Sequence, residues 1–140
     1  MHSCATTVVP VPVAKVWEVL ADHEGMASWA PGMKASVVRG GDFEHNGVGA
    51  VRRIQALPLL PPFVEEITFF EPDERLTYKA VSGIPLRNYV GDVVLRPLGD
   101  NTEIVYTISA DNQIPGVAKA IAGALLFLFK RAVNRAHHAG

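Results

Sequence analysis

Three alternating segments that decide the fold lie within residues 72–110, which read PDERLTYKAVSGIPLRNYVGDVVLRPLGDNTEIVYTISA. In each segment apolar residues recur at every second position, the period of a β-strand with one buried face. The residues predicted to face inward are Leu76, Tyr78, Ala80, Tyr89, Gly91, Val93, Leu95, Ile104, Tyr106, Ile108 and Ala110. Turn residues at 72–74 and 99–101 separate these segments from one another and from the preceding chain. We therefore predict consecutive antiparallel strands in a sheet with one solvent-exposed face.

Four further strands are predicted towards the N-terminus. They comprise residues 3–9, residues 34–38, a strand from Ala50 and a strand from about Phe63. In the strand from Ala50, alternation places Arg52 and Ile54 on the inner face together with Ala56. The next strand is ambiguous, because two sets of apolar residues compete for its inner face: Phe63, Ile67 and Phe69 against Val64, Thr68 and Phe70.

Two helices flank the strands. Pro12 suits a first helical turn, and Val13, Val16, Trp17 and Leu20 follow at helical spacing, which predicts a helix of about eleven residues ending near Asp22. Residues 115–136 predict a helix about 33 Å long, enough to cover the inner face of the sheet. A run of strands with helices at the ends indicates an α+β domain with seven strands.

Composition limits the possible functions. The 140 residues suit a single domain, residues 1–140, and the formal net charge of -1 excludes the electrostatics of a nucleic-acid-binding protein. Cys4 has no cysteine partner and the N-terminus lacks a secretory signal, so we expect a cytoplasmic protein. No apolar run is long enough for a transmembrane segment. The sequence has no metal-ligand cluster, phosphate loop or nucleophile elbow, and we expect no metal and no cofactor.

Several motifs in a fixed order resemble one family. The motifs are Val16-Trp17 with Leu20, Trp29-x-Pro31-Gly32, Gly47-x-Gly49-x-x-Arg52, Pro72-Asp73-x-x-Leu76-x-Tyr78 and the long final helix. In order and spacing the chain resembles the polyketide cyclase/dehydrase and lipid-transport family of the START-like (SRPBCC) superfamily. The resemblance implies a helix-grip fold, in which a curved seven-stranded antiparallel sheet wraps around the C-terminal helix and encloses a cavity. Members of the superfamily use that cavity for sterols, lipids, polyketides or hormones, and some catalyse cyclisation or dehydration.

The chain is also similar, more distantly, to the plant abscisic-acid receptors. Leu57-Pro58 lies where their gate loop carries Leu-Pro, residues 86–89 resemble their latch, and Glu66 and Tyr89 fall on pocket positions. Ala30 stands where those receptors have the lysine that holds the hormone carboxylate, so hormone recognition is not implied. Following the resemblance, we predict that Glu66 faces inward.

The predicted polar anchor of the cavity is Arg52 facing Glu66 across neighbouring strands, either as a structural ion pair or as a ligand contact. The tyrosines are either core aromatics or ligand contacts, and the apolar loop of residues 57–62 is either simple packing or a cavity lid. The complete predicted ligand-binding set is Trp29, Arg52, Ile54, Leu57, Leu59, Glu66, Tyr78, Tyr89, Tyr106, Ile108 and Leu125.

Two functions follow from these expectations. The first is a binding or carrier protein for a hydrophobic small molecule, such as a lipid, a fatty acid or a polyketide-like compound. The second is a polyketide cyclase or dehydratase in which Arg52 polarises a carbonyl and Glu66 or a tyrosine moves a proton. Residues 120–129 are apolar all round, so one face meets a partner chain, a membrane surface or another part of the fold. A monomer, a homodimer and transient membrane contact are all compatible with the sequence.

Overall fold

A computed structural model describes residues 1–139. The elements in chain order are β1 His2–Val9, α1 Val13–Ala21, a 3₁₀ helix Glu24–Ser28, β2 Lys34–Arg39, β3 Val51–Gln55, β4 Phe63–Glu71, β5 Arg75–Ser82, β6 Val90–Leu98, β7 Asn101–Ser109 and α2 Val117–Ala139. The predicted α+β architecture is therefore confirmed, with strand and helix ends within a few residues of their predicted positions.

The seven strands form one antiparallel sheet in the order β1-β7-β6-β5-β4-β3-β2. Helix α2 packs against β1 and β7 at one end of the sheet and against α1. The inner-face assignments for β5, β6 and β7 are confirmed, because Leu76, Val93 and Ile104 are fully buried in the core between sheet and helix. This arrangement is the helix-grip fold.

Strand β4 contains a β-bulge that decides which of its side chains face inward. Ile67 pairs with Tyr78 but Phe69 pairs with Thr77, so Thr68 is an extra residue that has no partner in β5. Before the bulge, the inward-facing residues are therefore Phe63, Glu65 and Ile67. After the bulge, Phe70 faces inward and packs edge-on against Trp17, with ring centroids 5.0 Å apart. The inner face thus changes from odd to even residue numbers, which explains the ambiguity of the sequence.

Helix α2 presents three different faces over residues 120–129. Ala122, Leu126 and Phe129 are buried in the core. The cavity described below is lined by Ile121, Leu125 and Leu128, whereas Ala120, Gly123, Ala124 and Phe127 are exposed, Phe127 at 65%. The helix continues beyond the predicted end at residue 136, through His137 and His138. Within residues 1–139, no helix is long and apolar enough to cross a membrane.

Candidate functional site

A cavity of about 390 Å³ lies between the inner face of the sheet and helix α2. Its volume falls within the range of small-molecule pockets, roughly 300–1,000 Å³. Most of its wall is apolar and comes from the 3₁₀ helix region, strands β3 and β4, the loops that follow β3 and β5, and α2. The apolar lining residues are Met26, Ala30, Met33, Ile54, Ala56, Leu57, Phe63, Ile84, Ile121, Leu125 and Leu128. The polar lining residues are Arg52, Glu65, Tyr78, Tyr89 and Tyr106.

A buried ion pair forms the centre of the polar group. Arg52 on β3 pairs directly with Glu65 on β4 in the antiparallel ladder. Its Nε and Nη2 atoms lie 2.9 and 2.8 Å from Oε1 of Glu65, and both residues are only 3% exposed. The guanidinium also lies over the Tyr78 ring, 4.6 Å from the ring centroid. These contacts fix the guanidinium in one orientation, because the Glu65 carboxylate holds one edge of it and the Tyr78 ring lies against it.

His23 contacts the guanidinium of the ion pair and restrains it further. Its Nε2 donates to the backbone carbonyl of Asn46 at 2.8 Å, and its Nδ1 accepts a hydrogen bond from Nη1 of Arg52 at 3.2 Å. This arrangement requires the neutral ring with its proton on Nε2. Burial, and then the nearby charge of Arg52, lower the pKa of His23 to about 4. Asn46 in turn donates from Nδ2 to the carbonyl of Ala21 at 2.9 Å, which attaches the β2–β3 connection to the end of α1.

Three phenols complete the polar group. The hydroxyls of Tyr78 and Tyr106 lie 2.6 Å apart in a hydrogen bond, and the rings of Tyr78 and Tyr89 lie 6.4 Å apart. Burial raises the pKa of all three tyrosines, so the phenols remain protonated at neutral pH. Burial also raises the pKa of the Glu65 carboxyl, and the charge of Arg52 opposes that shift. The group therefore offers hydrogen bonds without an unpaired charge.

Gly91 makes room for this group on the neighbouring strand. Gly91 pairs with Tyr78 in the ladder between β5 and β6. A β-carbon at this position would overlap the ring and hydroxyl of Tyr78. The absence of a side chain at Gly91 thus allows the Tyr78 ring to lie against the sheet beneath Arg52.

The loop of residues 57–62 lies at one edge of the cavity. Leu57 lines the cavity and is half exposed, whereas Leu59 projects into solvent at 97% exposure. The side chain of Gln55 stabilises the loop by donating from Nε2 to the carbonyls of Pro58 and Leu60 at 3.1 and 3.2 Å. A loop with exposed leucines beside a cavity remains compatible with the predicted lid.

The prediction that Glu66 faces inward and pairs with Arg52 is wrong. Glu65 holds that position, and Glu66 pairs with Val51 and Lys79 in the ladders, on the opposite face of β4. The error arose because the bulge at Thr68 made both parities plausible and the resemblance favoured Glu66. Arg52 itself carried a usable signal, since a buried guanidinium needs a carboxylate and either of two adjacent glutamates could supply it.

Of the other predicted ligand-binding residues, the structure brings Arg52, Ile54, Leu57, Tyr78, Tyr89, Tyr106 and Leu125 together around the cavity. Their role in ligand binding remains a prediction. Trp29, Ile108 and Leu59 lie elsewhere. Trp29 packs in the core against Phe129, with ring centroids 5.4 Å apart, and Ile108 is fully buried outside the cavity wall. Sequence reasoning missed Glu65 and His23 as members of the polar group.

An antiparallel sheet that encloses a cavity against a C-terminal helix defines a helix-grip protein of the START-like superfamily. The model of the family "Polyketide cyclase / dehydrase and lipid transport" matches residues 1–139, and the chain belongs to that family. The fold is similar to that of Ara h 8.0201, with a TM-score of 0.78 at 16% identity over 99% of this chain and 98% of that one. It is also similar to a protein from Nitrosospira multiformis, with a TM-score of 0.75 at 22% identity over 95% and 93% of the two chains. At these identities the two structures show the fold alone.

Proposed function

We propose that this protein binds a hydrophobic small molecule, such as a lipid or a polyketide-like compound, in the cavity and releases it unchanged. The observation that carries the proposal is an apolar wall interrupted by a single polar group, Arg52 with Glu65 and the tyrosines. Apolar surface supplies the affinity of such a site, and a few placed polar groups orient the ligand.

The size of the cavity limits the ligand. At about 30 Å³ for each water-sized group, 390 Å³ corresponds to on the order of 13 non-hydrogen atoms. A chain of about 12 carbons or a fused two-ring compound fits this estimate. A diacyl lipid does not, unless the loop of residues 57–62 moves.

The state of the polar group favours a carrier over an enzyme. Proton transfer at neutral pH needs a group that can change its charge there. The phenols have raised pKa values, and both ring nitrogens of His23 are already engaged.

Glu65 is the group that would serve the alternative, a cyclase or dehydratase. Its carboxyl lines the cavity and burial raises its pKa, as a general acid requires. Under this alternative, Glu65→Gln would abolish turnover of a polyketide-like substrate and leave its binding intact. Under the carrier proposal, the bound molecule is recovered unchanged from both proteins.

Calorimetric titration with dodecan-1-ol, an uncharged molecule close to the estimated capacity of the cavity, tests the proposal. Leu125→Trp places an indole in the cavity, and Ala124→Trp adds the same indole to the exposed face of the same helix. We expect wild type and Ala124→Trp to bind the probe alike and Leu125→Trp to lose at least ten-fold in affinity. Equal binding by all three proteins would place the probe outside the cavity and contradict the proposal.

A further inference from the structure

Resting on the proposed function, we propose that the cavity selects molecules whose polar group is uncharged, such as an alcohol or a ketone, over carboxylates and amines of the same size. The ligand class is thus a mainly hydrocarbon molecule with one hydroxyl or carbonyl group. The inference narrows the lipid and polyketide classes above and excludes fatty-acid anions.

The charged side chains of the cavity wall balance one another. Among the described residues that line the cavity, Arg52 and Glu65 alone belong to the charged types, and they have opposite signs. With 2.8 Å between their atoms, their fields largely cancel for a group in the cavity. A carboxylate that enters loses its hydration and gains no net attraction, because Glu65 repels it about as strongly as Arg52 attracts it.

The ion pair keeps hydrogen-bonding capacity for a ligand. Arg52 has five N–H groups, of which two point to Glu65 Oε1 and one to His23. Two N–H groups are left to donate to a ligand oxygen. Both hydrogen bonds from Arg52 end on Oε1 of Glu65, so the other carboxylate oxygen can accept from a ligand hydroxyl. A neutral hydroxyl can use both the donor and the acceptor, whereas a carboxylate can use the donor alone.

The neighbouring phenols add no charge to the cavity. The hydroxyls of Tyr78 and Tyr106 share one hydrogen bond, which leaves one O–H group and the remaining oxygen lone pairs as neutral hydrogen-bonding groups. Apart from the neutral Tyr89, the other described residues of the wall are apolar, and none of them is a basic group that could neutralise an acid. Charge balance is therefore a property of the whole described cavity and not of the ion pair alone.

Three probes with the same chain test the inference: dodecan-1-ol, dodecanoate and dodecylammonium, each titrated calorimetrically at pH 7.4 below its aggregation concentration. Each is close to the estimated capacity of about 13 non-hydrogen atoms. We expect dodecan-1-ol to bind at least 100-fold more tightly than either ion. Dodecanoate binding as tightly as the alcohol would overturn the inference and leave the proposed function intact. Failure of all three probes to bind would overturn the proposed function itself.

Glu65→Gln provides a sharper form of the test. The amide keeps the shape of the side chain and an oxygen that accepts from Arg52, but it leaves the cavity with one positive charge. We expect the preference to invert, so that dodecanoate binds this variant more tightly than dodecan-1-ol. Glu66→Gln removes the same charge from the outer face of the same strand and should keep the wild-type preference. If Glu65→Gln folds and still prefers dodecan-1-ol to dodecanoate, the role of charge balance is refuted. If this variant does not fold, the comparison of the three probes on wild type tests the inference by itself.

Discussion

Removing Arg52 alone should cost far more stability than removing Arg52 and Glu65 together. In Arg52→Met, Glu65 remains buried at 3% exposure without the two hydrogen bonds at 2.8 and 2.9 Å. Stranding one member of a buried ion pair costs about 3–5 kcal/mol, whereas an apolar replacement of both members is often neutral. We therefore expect the double variant Arg52→Met/Glu65→Leu to lie within about 2 kcal/mol of wild type, the remainder reflecting the unpaired His23 nitrogen.

Thermal and chemical denaturation measure this difference. For a chain of this length, an unfolding entropy of about 2.1 cal/mol/K per residue gives about 0.3 kcal/mol/K in total, so a loss of about 4 kcal/mol lowers Tm by about 14 °C. The free energy of unfolding of Arg52→Met should also recover on acidification from pH 7 towards pH 5. Its buried Glu65 has a folded-state pKa above the unfolded value, so the folded state takes up the proton first and gains stability as the pH falls.

Equal destabilisation of the single and double variants would refute this reasoning, because the loss would then come from packing and not from the stranded carboxyl. A loss below about 1 kcal/mol in Arg52→Met would show that the pair is not buried in solution.

Three further predictions concern the surroundings of the ion pair. His23→Gln can keep both hydrogen bonds but cannot titrate. Because the pKa of His23 in the folded state is about 4, the free energy of unfolding of wild type should fall by up to about 3 kcal/mol more than that of this variant between pH 6.5 and pH 4. Denaturation at a series of pH values measures this difference, and parallel pH profiles would contradict the burial of a neutral ring. Gly91→Ala should lower the free energy of unfolding by about 1–3 kcal/mol, because the new methyl group displaces Tyr78. Gly123→Ala, on an open helix surface, should be neutral or stabilising in the same denaturation experiments. Equal effects of the two substitutions would show that Gly91 is not needed for space. Replacing Leu59 and Leu60 by serine should weaken binding of dodecan-1-ol and leave Tm nearly unchanged, since both side chains are exposed. A large drop in Tm would make the loop part of the core instead of a lid.

The sequence predicted β5, β6 and β7 well because these strands have one solvent-exposed face and alternate without interruption over their core-facing residues. The register shift in β5 lies at its end, between Ala80 and Ser82. Strict alternation in these strands places Tyr78 and Tyr106 on the same side, and the structure joins their hydroxyls at 2.6 Å. Alternation no longer tells which side chains face inward once a strand changes register. In β4, Ile67 and Phe70 both face inward with three residue steps between them, which only a bulge permits. The conflict between the two parities was itself the sign of that bulge.

His23 could not be assigned from periodicity, because it lies beyond the end of α1 and belongs to no alternating pattern. Its burial depends on a long-range contact with the carbonyl of Asn46, a residue of the β2–β3 connection. Loop residues such as Leu59 pose the opposite difficulty. An apolar side chain in a loop can point inward or outward, and no local pattern distinguishes Leu57, which lines the cavity, from Leu59, which does not.

Native mass spectrometry with dodecan-1-ol tests most directly whether the cavity holds a hydrophobic molecule without altering it. We predict one bound molecule per chain in wild type and in Ala124→Trp, its loss in Leu125→Trp, and recovery of the alcohol with unchanged mass after dissociation. A spectrum with the bare chain alone in wild type, or an adduct that persists equally in Leu125→Trp, would contradict the central claim.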